Sequence, residues 1–131
     1  MQTHKDPFRG LCIGVDCQDI KVFSEIDPKT NREFYSRIFT QREIDYCTSR
    51  ALPSQHFAAR FAAKEAVVKA LAPDHVRFKQ VEILNHKNGE PYIKLENSQL
   101  RKKFFLRVSL SHSRLTAVAF VLGHKKERGG R

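Results

Sequence analysis

The sequence predicts an α+β domain in which a mainly antiparallel sheet packs on one long helix. Three observations carry that expectation. The stretch Gln55 to Leu71 is rich in alanine and has the length of a long helix. Short apolar segments with strand-like alternation lie on both sides of it. Asn88-Gly89 and Ser113-Arg114 each separate two such segments, which is how antiparallel neighbours are joined.

The first strand is expected over Leu11 to Asp16, where Leu11, Ile13 and Val15 alternate with Cys12, Gly14 and Asp16. Asp16 then ends the strand on the same side as a glycine that leaves room beside it. A helix beginning near Lys21 cannot pass Asp27-Pro28, because proline disfavours helix in its predecessor. Another follows around Asn31 to Phe39. Thr40-Gln41-Arg42-Glu43 has the spacing of a capping box and opens a short helix. Ser54 is the expected N-cap of the long helix, and Pro73 its stop. At 1.5 Å per residue that helix runs roughly 25 Å. Strands are expected over Lys79 to Leu84, Pro91 to Leu95, Phe105 to Ser111 and Thr116 to Leu122. Asn97-Ser98 caps a short helix between the second and third of these.

A chain of 131 residues suits one domain, 1–131, with 1–8 and 124–131 expected to be solvated and mobile. No apolar run reaches the ~20 residues that span a bilayer, so no membrane role is expected. The first residues lack a signal peptide's apolar stretch. An odd count of three cysteines gives no disulfide framework. The expected location is a reducing cytoplasm, with Cys12, Cys17 and Cys47 as small buried hydrophobes. Twenty-four Lys and Arg against 14 Asp and Glu leave a net charge of +10, which favours anionic partners without choosing among them.

Glu65 is the oddest placement on the long helix, with Phe61 and Ala62 one turn before it and Val68 one turn after. A carboxylate along an apolar line needs a cation or hydrogen bonds. Lys69, at i+4, is the local answer. The sharper reading brings Glu65 and Asp16 together on a divalent cation, since Mg²⁺ takes one or two carboxylates plus waters and phosphates. Lys64 and Lys69 border different sides of Glu65. Val108, Leu110 and His112 share one strand face. No zinc array, Walker loop, dinucleotide fingerprint, nucleophile elbow or RNA-recognition signature occurs.

Ile13-Gly14-Val15-Asp16, followed by Phe61-Ala62-Ala63-Lys64-Glu65-Ala66-Val67-Val68-Lys69-Ala70, resembles the two signature motifs of 4′-phosphopantetheinyl transferases. Small size, element order, Ser109 to Ser113, and Val81 to Asn85 with Asn88 to Tyr92 are similar to the short holo-acyl-carrier-protein synthase branch. The resemblance covers roughly Leu11 to Leu122. It implies transfer of the phosphopantetheine arm of coenzyme A to a serine of an acyl carrier protein of fatty acid biosynthesis, releasing adenosine 3′,5′-bisphosphate. It implies that Asp16 and Glu65 hold Mg²⁺, with Asp16, Glu65 and Lys69 as the catalytic set. Lys69 and Lys64 would contact phosphate, and Ser111 and His112 would bind the nucleotide end. Glu65 or a metal-bound water would take the serine proton. Lys21, Arg32, Arg37 and Arg42 would dock the acidic carrier, and a homotrimer would place each site between protomers.

The sequence departs from the family pattern at Cys12, where a glycine is common, and at Ala72-Pro73, which replaces a glycine after the helix. Val22 and Glu33 stand where arginines are frequent. Other classes compatible with the residues are a basic nucleic-acid-binding module, resting on Arg101-Lys102-Lys103 beside Phe104-Phe105, and a non-catalytic member of the same fold.

Overall fold

The computed structural model describes residues 6–127. The elements run β1 (Leu11–Asp19), α1 (Ile20–Ser24), α2 (Arg32–Ile38), α3 (Gln41–Thr48), α4 (Pro53–Leu71), a 3₁₀ turn (Phe78–Gln80), β2 (Val81–Asn85), β3 (Pro91–Leu95), α5 (Ser98–Lys103), β4 (Phe104–His112) and β5 (Thr116–Lys125). The strands form two antiparallel sheets, one ordered β1-β5-β4 and the other a β2-β3 hairpin. This is the α+β architecture read from the sequence.

Strand β1 is longer than expected because Cys17, Gln18 and Asp19 continue the ladder opposite Val118, Ala117 and Thr116. Its inner face carries Cys12, Gly14, Asp16 and Gln18, as the alternation requires. Strand β5 reaches Lys125, with Leu11 opposite His124 and Phe104 opposite Lys125. The strand therefore enters the stretch expected to be a solvated tail, because both neighbours supply ladder partners there. Residues 1–5 and 128–131 of the expected mobile ends lie outside the described residues.

Helix α4 is the spine. It starts one residue before the expected cap, with Pro53 in its first turn and no side-chain cap from Ser54. Proline's fixed φ and missing N–H suit that position, so the hydroxyl is not needed. Thr40 and Glu43 do form the expected capping box at the start of α3. The Asn97 side chain accepts from the backbone N–H of Gln99 and Leu100 to cap α5.

Gly14 is where α4 meets β1. A Cβ added there would lie 1.9 Å from the Ala66 carbonyl oxygen, so only glycine admits this approach. Ala62, Ala63, Ala66 and Ala70 line the same junction, fully or nearly buried with Ala119 and Val121 of β5. A second apolar cluster, under α1 and α2, joins Phe23, Tyr35, Phe39 and Phe57. The Tyr35 hydroxyl inside it donates to the Ile26 carbonyl at 2.5 Å. Cys47 is buried and Cys12 half-buried, but Cys17 is exposed on the outer face of β1, because its odd register turns it away from α4.

Candidate active site

The packing of β1 on α4 sets an acid of the strand against a lysine of the helix. The Lys69 ammonium donates to Asp16 Oδ1 at 3.2 Å and to the Val15 carbonyl at 3.0 Å. Asp16 Oδ2 accepts from the Gln18 side chain at 2.7 Å. Asp16 is largely buried and Lys69 half exposed, their side chains at 12% and 53%. Strand geometry explains the pair: Asp16 follows Gly14 by two residues, so its side chain emerges just past the close approach.

Glu65 lies one turn before Lys69, on the same face of α4. It is half-buried, and among the described residues its carboxylate has no hydrogen-bond or ion-pair partner. The i+4 pairing expected with Lys69 is replaced by the bond to Asp16. Phe61, one turn before Glu65, packs on Phe78 with ring centroids 5.3 Å apart. Val68 and Phe78 line a cavity of about 490 Å³ with Val76, Arg37, Arg77 and Lys79. Glu65 thus lies on α4 one turn before the lysine that bonds Asp16 and one turn after Phe61, whose ring packs on Phe78 at the edge of that hollow.

The donor chemistry of Asp16 and Glu65 fits a hard divalent cation. Among the described residues one acid has only lysine and amide contacts, and the other is a half-buried carboxylate with no hydrogen-bond or ion-pair partner. Among the described residues no group of three or more His, Cys, Asp and Glu side chains gathers, so further oxygens would have to come from phosphate or water.

Lys64 is not brought to this cluster. Its side chain is fully buried and pairs with Glu43 at 2.8 Å, both side chains at 0% exposure. It donates also to the Phe78 and Val81 carbonyls. Burial draws the ammonium below the ordinary lysine range, with Glu43 opposing that shift. One residue's step around the helix carries Lys64 about 100° from Glu65, into the space between α3 and β2. The expected contact of Lys64 with phosphate is therefore corrected to a contact inside the core.

His112 and Ser111 are exposed at the end of β4, away from Lys69 in the chain's own fold. His112 lines a separate hollow with Ser54, Gln55, Ser113 and Arg114. Lys21, Arg32 and Arg37 are exposed on α1 and α2, Arg37 bonding Glu33 at 2.5 Å. Arg42 differs: two of its nitrogens grip Glu82, at 2.6 and 3.2 Å, and Thr40 donates to the same acid. Burial alone would raise the Glu82 carboxyl, but these bonds outweigh it and hold it below the ordinary range.

One feature escaped the sequence reading. Arg42, Arg50, Arg60 and Lys87 line a cavity of about 570 Å³ with Tyr46 and the β2–β3 turn. Arg60 is 2% exposed, stacks over Tyr46 at 4.2 Å and bonds Asn85, yet its Nε has no partner among the described residues. The available signal was an arginine set among Phe57, Ala58, Ala59 and Ala62, where α4 is otherwise apolar.

Comparison with known proteins gives the family. Residues 12–121 match the 4′-phosphopantetheinyl transferase superfamily. The chain is 40% identical over 111 residues to the holo-[acyl-carrier-protein] synthase of Thermodesulfovibrio yellowstonii, covering 84% of this chain and 95% of that one. It is 40% identical over 117 residues to that of Protochlamydia amoebophila, covering 86% and 96%. The crystal structure of Helicobacter pylori holo-[acyl-carrier-protein] synthase in complex with coenzyme A superposes with a TM-score of 0.72 at 27% identity, over 83% and 96% of the two chains. With the strand acid, the helix acid and the invading glycine all inside the matched span, this chain belongs to the 4′-phosphopantetheinyl transferase superfamily.

Proposed function

We propose that the protein transfers the 4′-phosphopantetheine arm of coenzyme A to a serine of an apo acyl carrier protein, with Mg²⁺ held by Asp16 and Glu65. The observation that carries this reading is the Lys69–Asp16 contact one turn from a Glu65 that has no partner among the described residues, in a chain of this superfamily. The serine oxygen attacks the phosphorus bearing the pantetheine. The bond from that phosphorus to the bridging pyrophosphate oxygen breaks, and adenosine 3′,5′-bisphosphate leaves. Such a reaction needs positioning and charge neutralisation above all. Bound Mg²⁺ supplies charge neutralisation on the pyrophosphate. Lys69, already half exposed, exchanges Asp16 for a phosphate oxygen. Glu65 is the chain's own acceptor for the serine proton.

The remaining assignments follow the charge. The arginine cavity, where Arg60 Nε has no partner among the described residues, suits a phosphate of the nucleotide end. Lys21, Arg32 and Arg37, on helices that also expose Val22 and Phe34, suit an acidic carrier with apolar contacts. Arg42, tied to Glu82, belongs with the arginine cavity and not with this face.

We assign the protein a homotrimer with sites between protomers. The outer face of the larger sheet exposes Leu11, Ile13, Val15, Phe105, Phe120 and Leu122, with Ile13 opposite Leu122 and Val15 opposite Phe120. An apolar face of this kind marks association. His112 and Ser111, remote from Lys69 within one chain, then meet the nucleotide held by a neighbour. Among the described residues no helix is long and apolar enough to cross a membrane. A reducing cytoplasm is the setting that three free cysteines support.

Incubation with apo carrier protein, coenzyme A and Mg²⁺ tests the reading by release of adenosine 3′,5′-bisphosphate. Stoichiometric release supports it. Salt-sensitive RNA or DNA binding without release favours a nucleic-acid module instead.

A further inference from the structure

The buried Lys64–Glu43 pair has no part in the transfer chemistry described so far. Glu43 Oε1 accepts from Lys64 and from the Thr40 N–H, each at 2.8 Å, and Oε2 accepts from the Ile83 N–H at 2.8 Å. Lys64 bonds the Phe78 and Val81 carbonyls. Two side chains therefore tie α4 to the start of α3, to the 3₁₀ turn and to β2 by directional bonds.

We propose that this pair is a positioning device for the reacting centre: it sets the rotation of α4 about its own axis and so aims Glu65, the next residue, at the Asp16–Lys69 contact. Glu43 and Lys64 are positioning residues in this scheme, acting through Glu65.

Three observations carry the proposal. Toward β1 and β5, α4 packs through Ala62, Ala63, Ala66 and Ala70, small side chains that fix how near the strands come, while Phe57, Val67 and Leu71 fill the core without the directional bonds that fix an angle. Gly14 against Ala66 sets the same distance, again without a rotational lock. Side-chain ends lie about 6 Å from a helix axis, so a turn of about 20° carries the Glu65 carboxylate about 2 Å. A misplacement of 1 Å can cost about a hundredfold in rate. The same lysine holds the carbonyl of Phe78, whose ring packs on Phe61 one turn before Glu65. The Phe61–Phe78 contact one turn before Glu65 is thus tied to the same ammonium. A buried ion pair is a poor choice for stability alone, since apolar replacements of similar volume often match it. It is a good choice for orientation.

The proposal rests on the transferase reading, and one set of assays separates the two. Lys64→Met/Glu43→Gln removes both charges at nearly constant volume, and Glu43→Asp keeps the charge while shortening its reach. Thermal midpoints, kcat per folded molecule and KM for coenzyme A are measured for both and for the wild type. The expected result is kcat lower by about 10–100-fold in the double variant, with KM within about threefold and a cooperative melt. Glu43→Asp falls between. A role in stability alone lowers the midpoint and leaves kcat per folded molecule unchanged, which would overturn the proposal. If the double variant does not fold, Glu43→Asp decides by the same criterion. A wild type that makes no product sinks the transferase reading itself, whatever the variants do.

Discussion

Lys69 and Asp16, 53 residues apart in sequence, meet at 3.2 Å because Gly14 lets the helix backbone lie directly on the strand. With the lysine half exposed, a single ion pair of this kind adds ~1 kcal/mol to stability. Lys69→Met should therefore leave the thermal midpoint within a few degrees of wild type. Its transfer rate should fall about a hundredfold, the cost of losing one preorganised donor to developing charge. Steady-state kinetics beside a thermal melt checks both halves. Equal losses of stability and activity would make Lys69 structural.

Gly14→Ala should be among the most damaging single changes. Its Cβ would meet backbone, 1.9 Å from the Ala66 oxygen and 2.8 Å from the Ala66 carbon, and backbone cannot rotate aside. A loss of about 3 kcal/mol is expected. Urea denaturation reads it, and an unchanged midpoint would contradict the close packing of β1 on α4.

Acid sensitivity should trace in part to His56. Burial first, then Arg60, Arg50 and His112, hold its imidazole below the ordinary value of 6.5. The unfolded chain then binds this proton at a higher pH than the folded one. Stability is present above 6.5 and falls as the pH drops from there through the folded value. His56→Gln should flatten the stability curve in that window, seen in midpoints between pH 7 and 5. An unaltered slope would remove His56 from the account.

The outer sheet face gives a prediction about assembly. Ile13 and Phe120 are 63% and 44% exposed, so charged replacements cost the isolated protomer little. Ile13→Lys and Phe120→Asp should yield folded monomers by sedimentation, with transfer reduced at least tenfold, since the neighbour's His112 is lost. A wild type that sediments as an active monomer would end the trimer assignment.

Local rules carried much of this from the sequence. Alternation placed Gly14 and Asp16 on one face, and the Thr40-x-x-Glu43 spacing is the capping box found. Helical periodicity also put Glu65 one turn from Lys69. What stayed hidden depends on distant partners. Periodicity gives the flank of α4 on which Lys64 lies, but not that Glu43, Phe78 and Val81 close around it. The arginine cavity joins α3, α4 and the β2–β3 turn, which no local pattern connects. The i+4 rule for Glu65 and Lys69 lost to a partner on another element, and the Ser54 cap lost to Pro53. The extra residues of β1 and β5 follow from mutual ladder pairing, which neither segment reveals alone.

The most direct measurement follows the mass of an apo acyl carrier protein incubated with coenzyme A and Mg²⁺, with the wild type and with Glu65→Gln. The account predicts a gain of one phosphopantetheine arm with the wild type, abolished by chelator. It predicts a rate at least ~100-fold lower with a folded Glu65→Gln. Equal rates from the two proteins, or full transfer in the presence of chelator, would contradict it.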